Sequence, residues 1–514
     1  MKRRWSAAIE VALLAPGLLC GCALPGPIPE YAEVAENLQR ASVFPPHLIG
    51  PDDPMAVALD PAPAPPELAG PRPVDDLIRF ALAENRAVQA AYFNVKALEH
   101  RIPQVTALDD PVVSNTIYPS GSNGLQTASG YIPWNLLIAQ QFPWFGTLAL
   151  RGLAAENDVR VAVAELVTAQ LDVVEAVKRA YADLHANEQS ARILEQNRDL
   201  VEDFIEIARI QYESGQTSQQ DVLSAEVALA DLDREFVGIR QGIESARADL
   251  AELMHVTPEA PLQTTLELPI GDVPEQIDRL YRLAVASRPE LKGRLAAVAR
   301  DAAAVELARK RSAPNVTLGF NYGMVSEENA LSAMANGNDN LGLFVGFNLP
   351  IYRSKIDGAI REAQARAVAD ARLYDAERDG IYRELKDLLS RARAQRETLD
   401  LFQQSILPRA RDALDIAVAD YQAGRVDFLT LISAWREVLQ IDLQVARFEA
   451  ELSKSLASLE RAVGIQLRDH PPASASPGTP DDTPADPAPP LPAADDPGPF
   501  ATGLLDPDPS TIDD

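Results

Sequence analysis

Residues 222–253 and 431–462 carry the same apolar seam, 209 positions apart. The first runs Val222, Ala225, Leu229, Leu232, Phe236, Ile239, Ile243, Ala246, Leu250, Leu253, and the second Leu431, Ala434, Val438, Ile441, Val445, Phe448, Leu452, Ser455, Leu459, Ala462. The spacing alternates three and four without a break, which is the a/d pattern of helices packed along their length. Ten positions recurring in register mark a duplicated unit. Other segments follow at nearby offsets. Tyr212-Glu213-Ser214-Gly215 recurs as Tyr421-Gln422-Ala423-Gly424, Phe142-Pro143-Trp144-Phe145 as Leu349-Pro350-Ile351-Tyr352, and Ala81 to Val88 as Ala284 to Leu291. The chain is two copies of one unit, about 74–273 and 274–470.

Each unit reads as helix, two strands, long helix, turn, helix. The first helices are expected over about 74–108 and 275–312, the long ones over 146–214 and 353–423, and the last over 217–255 and 426–464. At about 1.5 Å per residue a long helix extends roughly 105 Å, which nearly matches the first and last helices laid end to end. An antiparallel rod with one continuous and one broken member follows. Gly215 and Gly424 then sit at its far tip, where a positive φ lets the chain reverse.

The strands expected at about 112–119, 131–142, 315–324 and 341–349 are the sharper clue. Val316, Leu318, Phe320 and Tyr322 alternate with Asn315, Thr317, Gly319 and Asn321; Leu341, Leu343, Val345, Phe347 and Leu349 alternate with Gly342, Phe344, Gly346 and Asn348. One face is apolar and the other small or polar, Phe344 excepted, which is the dyad of a strand in an outer-membrane barrel. The competing reading is a soluble hairpin packed on the helices. Four strands cannot close a membrane barrel, and an open edge in lipid is forbidden, so membranous hairpins require several chains to seal one barrel.

Composition narrows the function. The net charge is −28, which argues against a nucleic-acid partner. The two Cys, at 20 and 22, exclude a disulfide framework or a four-Cys metal site. Residues 1–22 read as an export signal, with Lys2, Arg3 and Arg4 before an apolar run too short to span a bilayer. Residues 23–73 form a Pro-rich strap, and 471–514 hold 13 Pro, 9 Asp and no Lys or Arg, the composition of a disordered acidic tail. There is no Gly-rich phosphate loop, His-Glu-x-x-His or nucleophile elbow, and His100, His185 and His255 are isolated. This is the profile of a conduit and not of an enzyme, with no cofactor and no resident metal expected.

Taken together these residues resemble the TolC family of outer-membrane efflux channels over roughly 74–467. The resemblance is carried by the ordered repeat, by Ser287-Arg288-Pro289-Glu290-Leu291, by Leu349-Pro350-Ile351-Tyr352 and by the Tyr-x-x-Gly tips. Gln141-Phe142-Pro143-Trp144-Phe145-Gly146 is most similar to the branch associated with heavy-metal exporters. The resemblance implies a fold that is mainly α with membrane β: a homotrimer with a twelve-strand barrel in outer-membrane lipid and an α-helical coiled-coil tunnel in the periplasm. It also implies a periplasmic adaptor and an inner-membrane pump, often of the RND class, as partners. Leu19-Cys20-Gly21-Cys22 resembles a lipobox, which implies lipidation of Cys22; the alternative is an ordinary signal peptide with an incidental Cys. The family's acidic residue six after the tip Gly is matched by Asp221, while repeat two has Thr430 there and Asp427 three after Gly424. These residues are the candidate periplasmic gate, with helix capping as the competing role for Asp221 and Asp427. Tyr212, Gly215, Gln216, Thr217, Ser218, Tyr421, Gly424, Arg425 and Val426 are the tip and adaptor-contact candidates; Val316, Leu318, Phe320, Tyr322, Leu343, Val345 and Phe347 are the lipid-facing ones. The function expected is passive exit of small solutes, drugs or metal ions. The alternatives are a type I protein-secretion outlet of the same fold and a non-channel coiled-coil envelope lipoprotein.

Overall fold

A computed structural model describes residues 64–118, 125–127, 129–327, 334 and 336–465. Cys22 and the lipobox, most of the strap and the acidic tail lie outside the described residues. The described residues belong to one unit of the chain.

After a 3₁₀ turn at Pro66–Leu68, repeat one comprises β1 (Gly70–Arg72), α1 (Val74–Glu84), α2 (Arg86–Glu99), α3 (Arg101–Thr106), β2 (Val112–Ile117), β3 (Leu125–Thr127), β4 (Gly130–Phe142), α4 (Thr147–Glu213) and α5 (Gln219–Met254). Repeat two comprises β5 (Leu262–Thr264), α6 (Ile277–Ser287), α7 (Pro289–Lys310), β6 (Val316–Ser326), β7 (Asn340–Phe347), α8 (Arg353–Leu401), a π-turn at Phe402–Ile406, α9 (Leu407–Gln422) and α10 (Phe428–Val463). The 67-residue α4 is the axis, and α2, α5, α7 and α10 all pack along it.

The first helix of each repeat, expected to be continuous, is broken, and the breaks fall at equivalent places. In repeat one Asn85 leaves the helix and its carboxamide oxygen accepts from the N–H groups of Ala87 and Val88, starting a new helix. Its amide also donates to the Leu253 carbonyl at 2.9 Å, so the break is tied to the end of α5. In repeat two Arg288 is held extended by Pro289, which then occupies the first turn of α7. The second long helix is also interrupted. The N–H of Leu407 reaches back five residues to the Phe402 carbonyl, and Pro408 follows with no N–H to give. The repeat offset grows from 207 at the strand–helix junction to 209 at the tip, so this helix carries extra residues, and a π-turn absorbs an inserted residue without ending the helix.

Four strands form an antiparallel sheet in the order β2-β4-β6-β7, with β3 also paired to β4. Register aligns Val316 with Phe142 on one side and Phe347 on the other. The last strand was expected to reach Leu349 but stops at Phe347. Asn348 there turns its side chain to accept from the Asn315 N–H at 2.5 Å, and Pro350 has no N–H for a ladder. A second, two-stranded sheet was not foreseen. β1 pairs in parallel with β5, stitching the end of the strap to the linker between the repeats.

The helical core lies in successive blocks. Near the two-stranded sheet, Leu77, Ile78, Ala81, Val177, Tyr181, Leu184, Leu250 and Met254 are buried together. Toward the tip, Val201, Phe204, Ala208, Ala225, Ala228 and Leu232 pack against Phe428, Leu431, Trp435 and Val438. Small residues on α4 and α5 admit large ones from α10, so the two repeats share one core here. No described helix is long and apolar enough to cross a membrane.

Candidate functional site

Two regions of the described chain are suited to function: the outer face of the sheet and the helical tip.

The sheet is built from strands with no Asp, Glu, Lys or Arg in any of them. Period-two alternation and the observed register place Leu136, Ile138 and Phe142 of β4, Val316, Leu318, Phe320 and Tyr322 of β6, and Leu341, Leu343, Val345 and Phe347 of β7 on one face. Leu343 is 84% exposed and Val345 and Phe347 are each 61% exposed, so nothing among the described residues covers the β7 part of this face. A face of that size left to water would be an aggregation hazard. At its outer end Trp134 and Tyr322 meet edge to face, and the Tyr322 hydroxyl donates to Asp339. The opposite face is small and polar: Thr317, Gly319, Asn321, Gly323, Gly342 and Gly346. Phe344, the exception in the alternation, has a place there, because its ring occupies the space above Gly319, its register partner. Both outer strands, β2 and β7, have one neighbour only among the described residues.

At the tip, Gly215 and Gly424 have φ of 74° and 67°. With no Cβ they end α4 and α9 in the left-handed region, and the next N–H groups bond back into each helix. The two turns differ in what surrounds them. Tyr421 is only 2% exposed and stacks edge to face on Phe428 at 5.3 Å, whereas Tyr212 is 46% exposed. The Gln211 amide of repeat one donates to the Tyr421 carbonyl. The phenol of Tyr421 lies beside Thr217 of the repeat-one turn, and burial, with the charge of Asp221 adding to it, pushes its pKa up to about 12. Tyr421 is therefore an internal contact between the repeats, not an exposed one, while Tyr212, Gly215, Gln216, Gly424 and Arg425 are exposed and Val426 is half-buried. Arg425 forms an ion pair with Asp420 at 2.8 Å.

The acidic residues also separate by role. Asp427 is the N-cap of α10: its carboxylate accepts from the Thr430 N–H at 3.0 Å and from the Thr430 hydroxyl. Those bonds hold it below the usual carboxylate range. In α5 the N-cap position is Ser218, and Asp221 stands one turn in, receiving only the Ser218 hydroxyl at 3.4 Å. Asp221 thus does not cap its helix, and it lies near the Tyr421 phenol.

Equating the two tips hid the aromatic series Tyr421-Phe428-Trp435, which repeat one replaces by Tyr212-Gln219-Glu226. The seven-residue spacing in one copy alone was the available signal. Among the described residues no group of His, Cys, Asp or Glu is placed to hold a metal ion. His185 is buried against Thr264, and His255 ends α5 with φ 53°, the place Gly464 takes in α10.

This geometry has counterparts in known proteins. The chain is 25% identical over 413 residues to the cobalt-zinc-cadmium resistance protein CzcC of Cupriavidus metallidurans, covering 78% of this chain and 92% of that protein. It is 22% identical over 416 residues to the pyoverdine export outer membrane protein OpmQ of Pseudomonas putida, with 76% and 85% covered. Its fold matches the crystal structure of the outer membrane protein VceC from Vibrio cholerae with a TM-score of 0.64, at 19% identity over 76% of this chain and 96% of that one. The profile of the outer membrane efflux protein family matches twice, over residues 77–254 and 280–465, once in each repeat. With two profile matches laid over two structural repeats, the chain belongs to the outer membrane efflux protein family.

Proposed function

We propose that this chain is one subunit of a trimeric outer-membrane duct through which a tripartite exporter discharges small solutes. The observation that carries the reading is the sheet: an uncharged, mainly apolar face and two edges unpaired among the described residues, in the order β2-β4-β6-β7. Lipid fits the face, and pairing of β7 with β2 of the next copy fits the edges, so that three chains give a closed twelve-strand barrel. Ring closure of that kind sets α8 of one chain beside α2 of the next and continues the barrel as a helical tunnel.

The tip would be the periplasmic mouth. Asp221, present once per chain and free of a capping role, would give a ring of three carboxylates that concentrates cations and hinders anions. Asp427 is engaged as a cap and contributes less. Tyr212, Gln216 and Arg425 are the residues offered to an adaptor, with an RND-class pump supplying the energy. Cargo of metal-ion or metal-chelate type is supported by the likeness to CzcC and OpmQ. The type I outlet has no such support. Lipidation at Cys22 would add an anchor to the barrel's own hold on the membrane.

Single-channel recording of purified protein in planar bilayers tests the duct. A small closed-state conductance is expected, with Asp221→Ala lowering the preference for cations. Leu343→Asp with Phe347→Asp should abolish insertion, since charge on the lipid face costs up to about 2–4 kcal/mol per residue near the midplane, somewhat less for Asp. Unimpaired insertion of that variant would mean a non-channel envelope lipoprotein instead.

A further inference from the structure

Just below the sheet, where strands hand over to helices, the chain exposes a second set of apolar residues. Phe145 is 84% exposed, Leu349 73%, Ile351 67% and Tyr352 72%. Trp144 meets Phe145 edge to face at 5.7 Å. They come from both repeats, and two contacts bring the turns together: the Trp144 N–H faces Asn315 Oδ1 at 3.4 Å, and the Asn315 N–H donates to Asn348. Aromatic rings standing at the end of an apolar strand face are typical of a boundary between hydrocarbon and headgroups.

Beside these rings are Lys310 and Arg311, closing α7, and Arg353 and Lys355, opening α8. The Lys310 ammonium lies 3.8 Å from where a Cβ on Gly146 would stand, which puts it under the Trp144–Phe145 turn. In a chain of net charge −28 whose cations are widely paired, none of the four forms an ion pair among the described residues. The adjacent Arg309 is taken by Glu306 at 2.9 Å. Helix electrostatics explain half of this placement and oppose the other half. Cations suit the C-terminal end of α7, but at the first turn of α8, which has no acidic residue, they face the positive end of the helix dipole. Arg353 and Lys355 therefore gain from an anion that the described residues do not supply.

We infer that Lys310, Arg311, Arg353 and Lys355, beneath the ring of Trp144, Phe145, Ile351 and Tyr352, form a docking surface for anionic phospholipid headgroups of the membrane's periplasmic leaflet. The inference rests on the outer-membrane reading above and adds the lipid class and the residues. The four cations continue an apolar face already suited to lipid tails, so one molecule can satisfy both: acyl chains against Leu343, Val345 and Phe347, phosphate against the guanidinium and ammonium groups. A second copy of this chain could offer Asp109 and Asp110 at the foot of its β2. Those would come beside β7 and α8, not beside Lys310 and Arg311, which stand at the foot of β6, inside the sheet.

The test uses the full chain in nanodiscs of phosphatidylcholine with an equal part of phosphatidylglycerol. Lipid retained on the released protein is counted by native mass spectrometry. Wild type should retain phosphatidylglycerol selectively. The Lys310→Gln, Arg311→Gln, Arg353→Gln, Lys355→Gln variant should lose that enrichment by about tenfold or more, as charges near a membrane surface predict. The pair Arg353→Gln, Lys355→Gln, which leaves α7 untouched, should lose part of it, and Asp357→Asn should lose none. Retention without preference in wild type, or equal preference in the fourfold variant, would overturn the inference. So would a variant that dissociates into single chains while keeping its lipid preference, since the cations would then serve Asp109 and Asp110 of a second copy. Failure of wild type to enter this bilayer would remove the outer-membrane reading and this one with it, whereas insertion without preference removes this one alone.

Discussion

The ring of Phe344 fills the space that a side chain on Gly319 would need. A Cβ built on Gly319 would stand 1.8 Å from the Phe344 ring, an overlap no small adjustment relieves. The two are register partners on β6 and β7, so an aromatic side chain takes the place of the missing one across the strand pair. Gly319→Ala should therefore displace the ring and weaken pairing of the outer strand. The yield of heat-resistant oligomer on semi-native gels is expected to fall. Phe344→Ala in the same chain should restore much of it, and failure of that rescue would show that Gly319 is needed for some other reason.

The tip carboxylates should respond differently to removal. Asp427→Ala deletes the N-cap of α10, so hydrogen exchange at the amides of Thr430 and Leu431 is expected to accelerate. Asp221→Ala should leave the matching amides of α5 nearly unchanged. The cap bond of Asp427 has a depressed folded-state pKa, so its contribution is present above the ordinary Asp range and is lost as pH falls through that lower value. Protection at Thr430, taken relative to the intrinsic exchange rate at each pH, should fall on acidification in the same window.

Trp435 of repeat two is anchored in repeat one near the tip. It is 2% exposed, and its indole N–H donates to Asn197 Oδ1 on α4 at 2.9 Å. Trp435→Ala should cost about 3–5 kcal/mol by emptying that volume. Trp435→Phe should cost less but leave Asn197 Oδ1 without its donor. Denaturant unfolding of the detergent-solubilised protein would rank the two, and equal loss would mean the hydrogen bond contributes little.

His185 should make the middle of the molecule acid-sensitive. The Thr264 hydroxyl gives its proton to Glu188 at 2.7 Å, so at 3.2 Å it accepts from His185 Nδ1. Burial, with Arg192 adding its charge, moves the imidazole below its ordinary value. The unfolded chain then binds the extra proton first, so this stability is complete above about pH 6.5 and declines below it. Thermal unfolding should shift downward on acidification, and His185→Gln should flatten the shift.

The repeat, the strand alternation and the tip glycines were legible because each rests on local chemistry: a seam period, a dyad and a φ > 0 requirement. Pairing between distant segments was not. The partnership of β1 with β5 joins residues some 190 positions apart through strands too short to show a pattern. Breaks at Asn85 and Arg288 were passed over because the helical period resumes on the far side of each. The unequal burial of Tyr212 and Tyr421 depends on Phe428 and Trp435, which act across repeats. In sequence Asp221 and Asp427 shared gate and cap as candidate roles, with Asp427 leaning toward the cap, and the position of each relative to its own helix start separates the two.

The two-stranded sheet constrains how the molecule can be made. β1 has no partner until residues 262–264 have been synthesised, some 190 residues later. A first-repeat fragment ending before residue 262 would leave Gly70–Arg72 without its parallel partner and His185 without Thr264, so any separable piece must run on through the segment that carries β5.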